Sequence, residues 1–501
     1  MISFNSIPAN MQRPLVHIEV DPSKAGTLSL MQSALLIGQK LAAGTAPADQ
    51  PVAVASLAQA KAAFGEGSML ERMFAAFFAN NIGARLFAIP VVEPSAGTAA
   101  TGKITVTTPS SADGVLSLYI AGQKISVLVL DADTAAQIAT KIADAINAVP
   151  TLPVTADDNT ADVDLTCKWK GLTGNDIKIS TNYNGQLGGE ALPTGLVLTI
   201  TAMASGAGAP DFAAAIAAMA DDQYDYCCAP FTDSTSLGLF NTEYGFSDVG
   251  RWGYDRQSYG TVFAARRDTY SNLMTWGASQ NSPVISVLSV EPDAPSTIYE
   301  IAAAYTARAA RALLNDPARP LQSLELLGVL PARRGFRFNN TERNNLALTG
   351  LAIMSVSPNA VYVIEREVML YQKNVYGQGD TAYHDCTTLH TLALILRRLK
   401  QAITSKWPRH KLANDGTRFG PGNAILTPKI VKAELVAQYR TLEYEGIVEN
   451  VDAFKENTLV QRNEQDPTRL DILYAPDLVN GARIFAVLAQ FRLQYSTVPL
   501  I

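Results

Sequence analysis

The chain contains four histidines, His17, His384, His390 and His410, so acid–base or metal chemistry has few positions to build on. The one concentration is His384-Asp385-Cys386 with His390. The two histidines are six positions apart, which puts them on different faces of a helix. A zinc-binding helix places its pair four apart, and a single cysteine adds little as a further ligand. The cluster therefore reads as structural. A nucleophilic mechanism needs a serine or cysteine activated by a base, and no G-x-S-x-G occurs. No G-x-x-x-x-G-K-[ST] phosphate cradle is present. The glycine-rich runs Gly171–Asp176 and Ser205–Ala209 lack a dinucleotide fingerprint and read as turns. The expectation is no catalytic residue, no cofactor and no metal, hence no enzyme.

Composition agrees with a protein that works by contact. At 501 residues the chain is long enough for several domains. Charged residues make up 17%, below the roughly 25% of typical soluble domains, as expected where partners cover much of the surface. The net charge of −6 disfavours nucleic-acid binding. The charge is unevenly spread, with residues 361–501 holding 17 Lys+Arg against 15 Asp+Glu and the rest of the chain net negative. The cysteines, Cys167, Cys227, Cys228 and Cys386, show no CxxC spacing, and a reducing compartment is expected. Neither an export signal near Met1–Asn5 nor a membrane span is expected.

Elements follow from period and punctuation. Residues 1–25 read as an extended arm, with Pro8 and Pro14 against helix and Val16, Ile18 and Val20 alternating on one face of a strand. Residues 26–94 alternate strand and helix, and so do residues 206–342; together they predict one three-layer α/β domain. The intervening 95–205, rich in Thr, Ser, Ala, Gly and Asp, predicts an inserted α+β module, with a hairpin around Ala121-Gly122 and a helix capped by Thr134. Residues 343–501 form an α+β C-terminal domain. A strand is expected over Tyr362–Tyr371. The next helix carries Leu389, Leu392, Leu396, Leu399 and Ile403 as a core stripe, and Pro428 opens another helix. A closing hairpin would join Leu470–Tyr474 to Ile484–Tyr495 through Asn480-Gly481.

Several segments of the C-terminal part occur in a distinctive order: Arg343–Leu346, Val363–Val368, Gly379–Asp385, Leu426–Lys432, Gly446–Asn450 and Asp466–Asp471. This order resembles the C-terminal domain of contractile phage tail sheath proteins of the Mu-like type. The stretches Gly102–Val106, Leu118–Gln123, Ala143–Asn147 and Gly171–Asp176 resemble the inserted domain of those sheaths. The resemblance implies a virion tail subunit, assembled in the host bacterial cytoplasm. It would polymerise with itself in stacked rings around a tail tube and contract to drive the tube through the host envelope for genome ejection. It implies that the insertion faces outward and the C-terminal domain lies nearest the tube. It also implies that terminal strands are exchanged between copies, and it adds baseplate and tail terminator proteins as partners, with no nucleic acid and no membrane insertion. The residues that would carry the exchange are Leu15, Val16, Ile18 and Val20 at one end and Phe485, Val487, Phe491 and Leu493 at the other. Lys429, Lys432, Arg397 and Lys400 are candidates to face the tube. The alternative is a surface-exposed glycan-binding particle protein with 95–205 as its binding unit; an unrecognised hydrolase is the remaining reading.

Overall fold

The computed structural model describes residues 32–493; Leu15, Val16, Ile18 and Val20 lie outside the described residues. At the centre is a six-stranded sheet, in the order Ile285–Val290, Thr261–Arg267, Tyr226–Cys228, Ser33–Gln39, Arg85–Val91 and Val52–Ala53. The first five strands pair in parallel and the short last one is antiparallel. Parallel strands are covered on both faces and are therefore largely apolar; Ser33–Gln39 and Ile285–Val290 are buried at every position. Helices Met69–Asn80 and Ile298–Asn315 pack on each other and against this sheet. The second helix buries Ala302, Ala303, Ala304, Ala307, Ala309 and Ala310, small side chains that allow a close approach.

In chain order the five parallel strands lie 2-1-3-4-5, so the order reverses between Ser33–Gln39 and Tyr226–Cys228. Such a reversal leaves a crevice at the carboxyl ends of the strands. Residues 95–205 project from this end. They build a four-stranded antiparallel sheet, Val197–Ala204, Ala99–Thr108, Asp162–Lys170 and Val154–Asn159, and a three-stranded one, Gln123–Val129, Gly114–Ile120 and Ile179–Thr181. Helix Ala135–Asn147 packs against strands of both, burying Ile138, Ile142 and Ile146. Thr134 and Gln137 form a capping box at its start, which satisfies N–H groups the first turn leaves free.

Residues beyond 340 attach to the edge of the central sheet. Ala352 N donates to Val287 O and Leu370 N to Ile285 O, both at 2.9 Å. A three-stranded sheet, Glu325–Leu326, Tyr362–Arg366 and Ile353–Val356, lies beside it. One contiguous core takes in residues from Ala34 to Ala393. A smaller core holds Ile395, Val436, Tyr439, Leu442, Ile447, Val448 and Phe454, with Tyr439 stacked on Phe454 at 3.8 Å. Helix Cys386–Lys406 contributes to both.

Three expectations are corrected. The strand expected over Tyr362–Tyr371 ends at Arg366, after which the chain crosses to the central sheet. The expected closing hairpin is absent: Leu470–Leu473 pairs back with Leu459–Arg462, and residues 484–493 form no strand. The proposed turn is occupied elsewhere. Leu478 bridges to Val448, and Gly481 packs so closely on Pro320 that a Cβ would lie 2.5 Å from the ring. Third, the leucine stripe is not core throughout. Leu389 is buried, but Leu392, Leu396, Leu399 and Ile403 are half-exposed.

Candidate functional site

The histidine cluster is largely packed into the fold. His390 is fully enclosed, stacked on Tyr226 at 5.0 Å, with Nε2 2.8 Å from the Thr261 hydroxyl. Burial, helped by the nearby Arg397 charge, pushes its pKa down to about 3, so the ring is neutral and structural. Burial likewise pushes the Cys386 thiol far above its ordinary value, which suppresses the thiolate. Burial lowers His384 against the opposing pull of Asp385. Among the described residues no group of three or more His, Cys, Asp or Glu side chains could hold a metal ion.

The chain's polar investment lies instead where the insertion meets the central sheet. Asp176 accepts from Arg267 at 2.8 Å and from the Ile298 N–H, at the start of a helix, at 2.7 Å. Burial raises the Asp176 carboxyl to about 6, against the pull of Arg267. Gln39, at the end of its strand, donates to Lys170 O at 2.7 Å. On the other flank Arg72 pairs with Glu300 at 2.8 Å and donates to Ala121 O and Thr151 O. Tyr183 donates to Pro331 O at 2.7 Å. Beside these contacts a cavity of about 620 Å³ remains, where Arg266 lies over Trp276 and donates to Thr232.

The C-terminal end is built in the opposite way. Arg483 is clamped to Glu367 at 2.5 Å, donates to Thr387 and lies 3.6 Å from Asp385. The two members of the clamp are 9% and 0% exposed. Over residues 484–493 the chain has no partner among the described residues: Ile484, Phe485, Val487, Leu488, Phe491 and Leu493 are 80–96% exposed. The hairpin Leu459–Arg462 and Leu470–Leu473 is a two-stranded sheet with no further strand on either edge among the described residues, and it leaves Leu459 and Leu473 exposed. Two strands alone are marginal in water.

The four cations divide. Lys400 and Lys429 are exposed and Lys432 is half-exposed. Arg397 is not at the surface. It pairs with the buried Asp225 at 2.5 Å and lies over the Tyr259 ring, because the helix face that carries it packs on the central domain. Missing from the sequence expectation are Arg409, Lys411 and Arg418, all exposed, in a loop tied to the next helix by Asp415 accepting from Lys429 N. The signal for them was present, since between Lys406 and Lys432 the one acid is Asp415.

Comparison with known proteins adds a lineage to this geometry. Residues 205–369 match the phage tail sheath protein central domain, and residues 378–492 match the phage tail sheath C-terminal domain. The chain is 39% identical over 492 residues to the Mu-like prophage FluMu tail sheath protein of Haemophilus influenzae, covering 98% of this chain and 99% of that one. Solved structures with a looser likeness include the sheath tail protein of Desulfitobacterium hafniense (10% identity, 93% and 100% of the two chains, TM-score 0.46). A second is the sheath tail protein Lin1278 of Listeria innocua (11% identity, 90% and 93%, TM-score 0.47).

Proposed function

The chain belongs to the phage tail sheath proteins, and from that membership we propose how its surfaces carry out the family's work. It is a structural subunit of a contractile tail sheath, in the tail of a phage or phage-like particle. The observation that carries the proposal is the coexistence of a two-stranded sheet and an apolar segment that, among the described residues of its own copy, both lack a further partner.

In this reading Phe485, Val487, Phe491 and Leu493 of one copy add to the free edge of the Leu459–Leu473 hairpin in a neighbour. Leu15, Val16, Ile18 and Val20 add from another. Each main-chain hydrogen bond contributes about 1 kcal/mol net, so a short strand with buried side chains holds a link while the peptide joining it to the body lets rings slide. Contraction then runs downhill from a lattice assembled in a strained, extended form, without nucleotide and without catalysis by this chain. Lys400, Lys429 and Lys432, joined by Arg409, Lys411 and Arg418, form the side offered to a tail tube. Baseplate and terminator proteins would cap the polymer, which would form in the host cytoplasm and drive the tube through the envelope. The working division is an arm at 1–25, an α/β domain of 26–94 with 206–342, an outward insertion at 95–205, and an inner domain at 343–501.

The test is electron microscopy of purified full-length protein and of chains lacking residues 484–501 or 1–22. Full-length protein should form rings or tubes, and either truncation should yield folded subunits that make no long polymer. Normal tubes from the truncated chains would refute strand addition.

A further inference from the structure

The cavity of about 620 Å³ beside the insertion lies at the carboxyl ends of the central strands. Gln39 ends one strand, Arg266 and Arg267 end another, and residues 230–234 follow the strand Tyr226–Cys228 between them. The reversal of strand order falls between Ser33–Gln39 and Tyr226–Cys228, where open α/β sheets take up small molecules. Leu172 and Asp176 of the insertion line one side. The volume falls inside the roughly 300–1,000 Å³ of small-molecule sites.

The charged groups around this cavity are not equally satisfied. Arg267 donates to Asp176 and to Ser296 O, and Asp176 also accepts from the Ile298 N–H. Asp233 caps helix Ser234–Glu243, accepting from the Ser236 N–H at 3.0 Å and from its hydroxyl at 2.6 Å. Arg266 is the exception. Among the described residues its one acceptor at hydrogen-bond distance is the Thr232 hydroxyl, at 3.1 Å. The one carboxylate in ion-pair range, Asp268, stands 3.9 Å away and accepts from the Thr269 N–H and the Asn272 amide instead. A guanidinium carries five N–H donors in a planar fork, and the Arg266 Nε is buried with no acceptor among the described residues. Burial lowers the Arg266 pKa against the weaker pull of Asp268, so its surroundings disfavour the charge that an anion would favour.

The shape of the charge and the walls narrows the ligand. A guanidinium pairs with a carboxylate through two parallel N–H···O bonds. Asp176 and Asp233 on the walls penalise a second negative charge, which selects a monoanion over a phosphate. The Arg266 guanidinium lies 4.8 Å from the centre of the Trp276 ring, and Phe231 and Leu172 add apolar surface. We propose that this cavity binds a small organic carboxylate with an apolar or aromatic body. Its carboxylate sits on Arg266 and the Thr232 hydroxyl, and its body lies against Trp276 and Phe231. Such a ligand touches the central sheet and the insertion at once, through Arg266 and Leu172, and braces the joint between them.

Calorimetric titration of full-length protein with benzoate, phenylacetate and cinnamate, each set against its neutral amide, tests this. At least one acid should bind saturably with a Kd below about 1 mM, and its amide should bind at least about tenfold more weakly. Arg266→Gln should weaken the acid by about tenfold or more. Arg266→Lys keeps the charge but loses the planar fork, and should fall between the two. That variant and the comparison of acid with amide carry the test if Arg266→Gln fails to fold. Absence of saturable binding by every acid, equal binding of acid and amide, or full affinity in the Arg266 variants would each overturn the proposal. Inorganic phosphate binding more tightly than the acids, with the same dependence on Arg266, would overturn the choice of a monoanion.

Discussion

The insertion and the C-terminal exit segment are both appendages of the central sheet, yet the chain treats them differently. The insertion is seated at two flanks: on one, Arg72, itself paired with Glu300 inside the central domain, donates to Ala121 O and Thr151 O, and on the other Asp176 of the insertion pairs with Arg267. The exit segment is held at Arg483 and then presents a row of large apolar side chains to solvent. Buried charges that pair fix one geometry, because any shift leaves a charge without a partner. Apolar side chains on an extended segment fix none until a surface arrives to cover them. The first arrangement suits a part that must move with its subunit. The second suits a part that finishes folding on another molecule.

The hardest blow to that contrast should come from Arg72→Ala. It strands Glu300 and frees Ala121 O and Thr151 O, and unfolding of the subunit should lose roughly 3–5 kcal/mol in urea titration. A loss under 1 kcal/mol would mean that the insertion is not seated as described.

Acid should act next most strongly, through Glu190 inside the insertion. Burial raises this carboxyl, but hydrogen bonds from Lys124, Tyr119 and Asn184 together outweigh it and hold its pKa at about 2. A carboxyl depressed in the folded state stabilises it above the unfolded value of 4.5. That contribution, at most about 3 kcal/mol, is lost as pH falls from 4.5 toward 2. In Glu190→Gln the acid limb of the stability profile should flatten over that window; an unchanged limb would assign acid sensitivity to other groups.

Tyr183→Phe removes one hydrogen bond between the insertion and Pro331 O and should cost about 1 kcal/mol, measured by the same titration. The smallest effect on the isolated subunit is expected from Phe485→Ser, Val487→Ser and Phe491→Ser combined. Monomer stability should stay within about 0.5 kcal/mol, while sedimentation shows loss of long polymers. Destabilised monomers would erase the distinction between the two regions.

How much of this the sequence disclosed depends on the range of the interaction. The Thr134 cap, the helix behind it and the hairpin over Gly114–Val129 were legible, since each is decided by neighbours within a few residues. The fate of Asn480-Gly481 was not. Locally it is a hairpin turn; in the fold it is drawn away by Val448 and Pro320. Arg397 looked like a surface cation by its place on the polar side of its helix, and only its pairing with buried Asp225, far away in sequence, shows that it turns inward. The leucine stripe predicted a buried face correctly in period but not in extent, because period says which residues share a side and not what lies against it.

Alone, then, the sequence determined the alternation of strands and helices and the apolar row at the C-terminal end, both properties of residue type and spacing. Only the tertiary structure decided that the insertion meets the central domain through Asp176, Gln39 and Arg72, that Arg397 turns inward, and that residues 484–493 find no partner among the described residues. Those outcomes depend on which distant groups arrive first to satisfy a charge or cover an apolar face, and no local pattern records that.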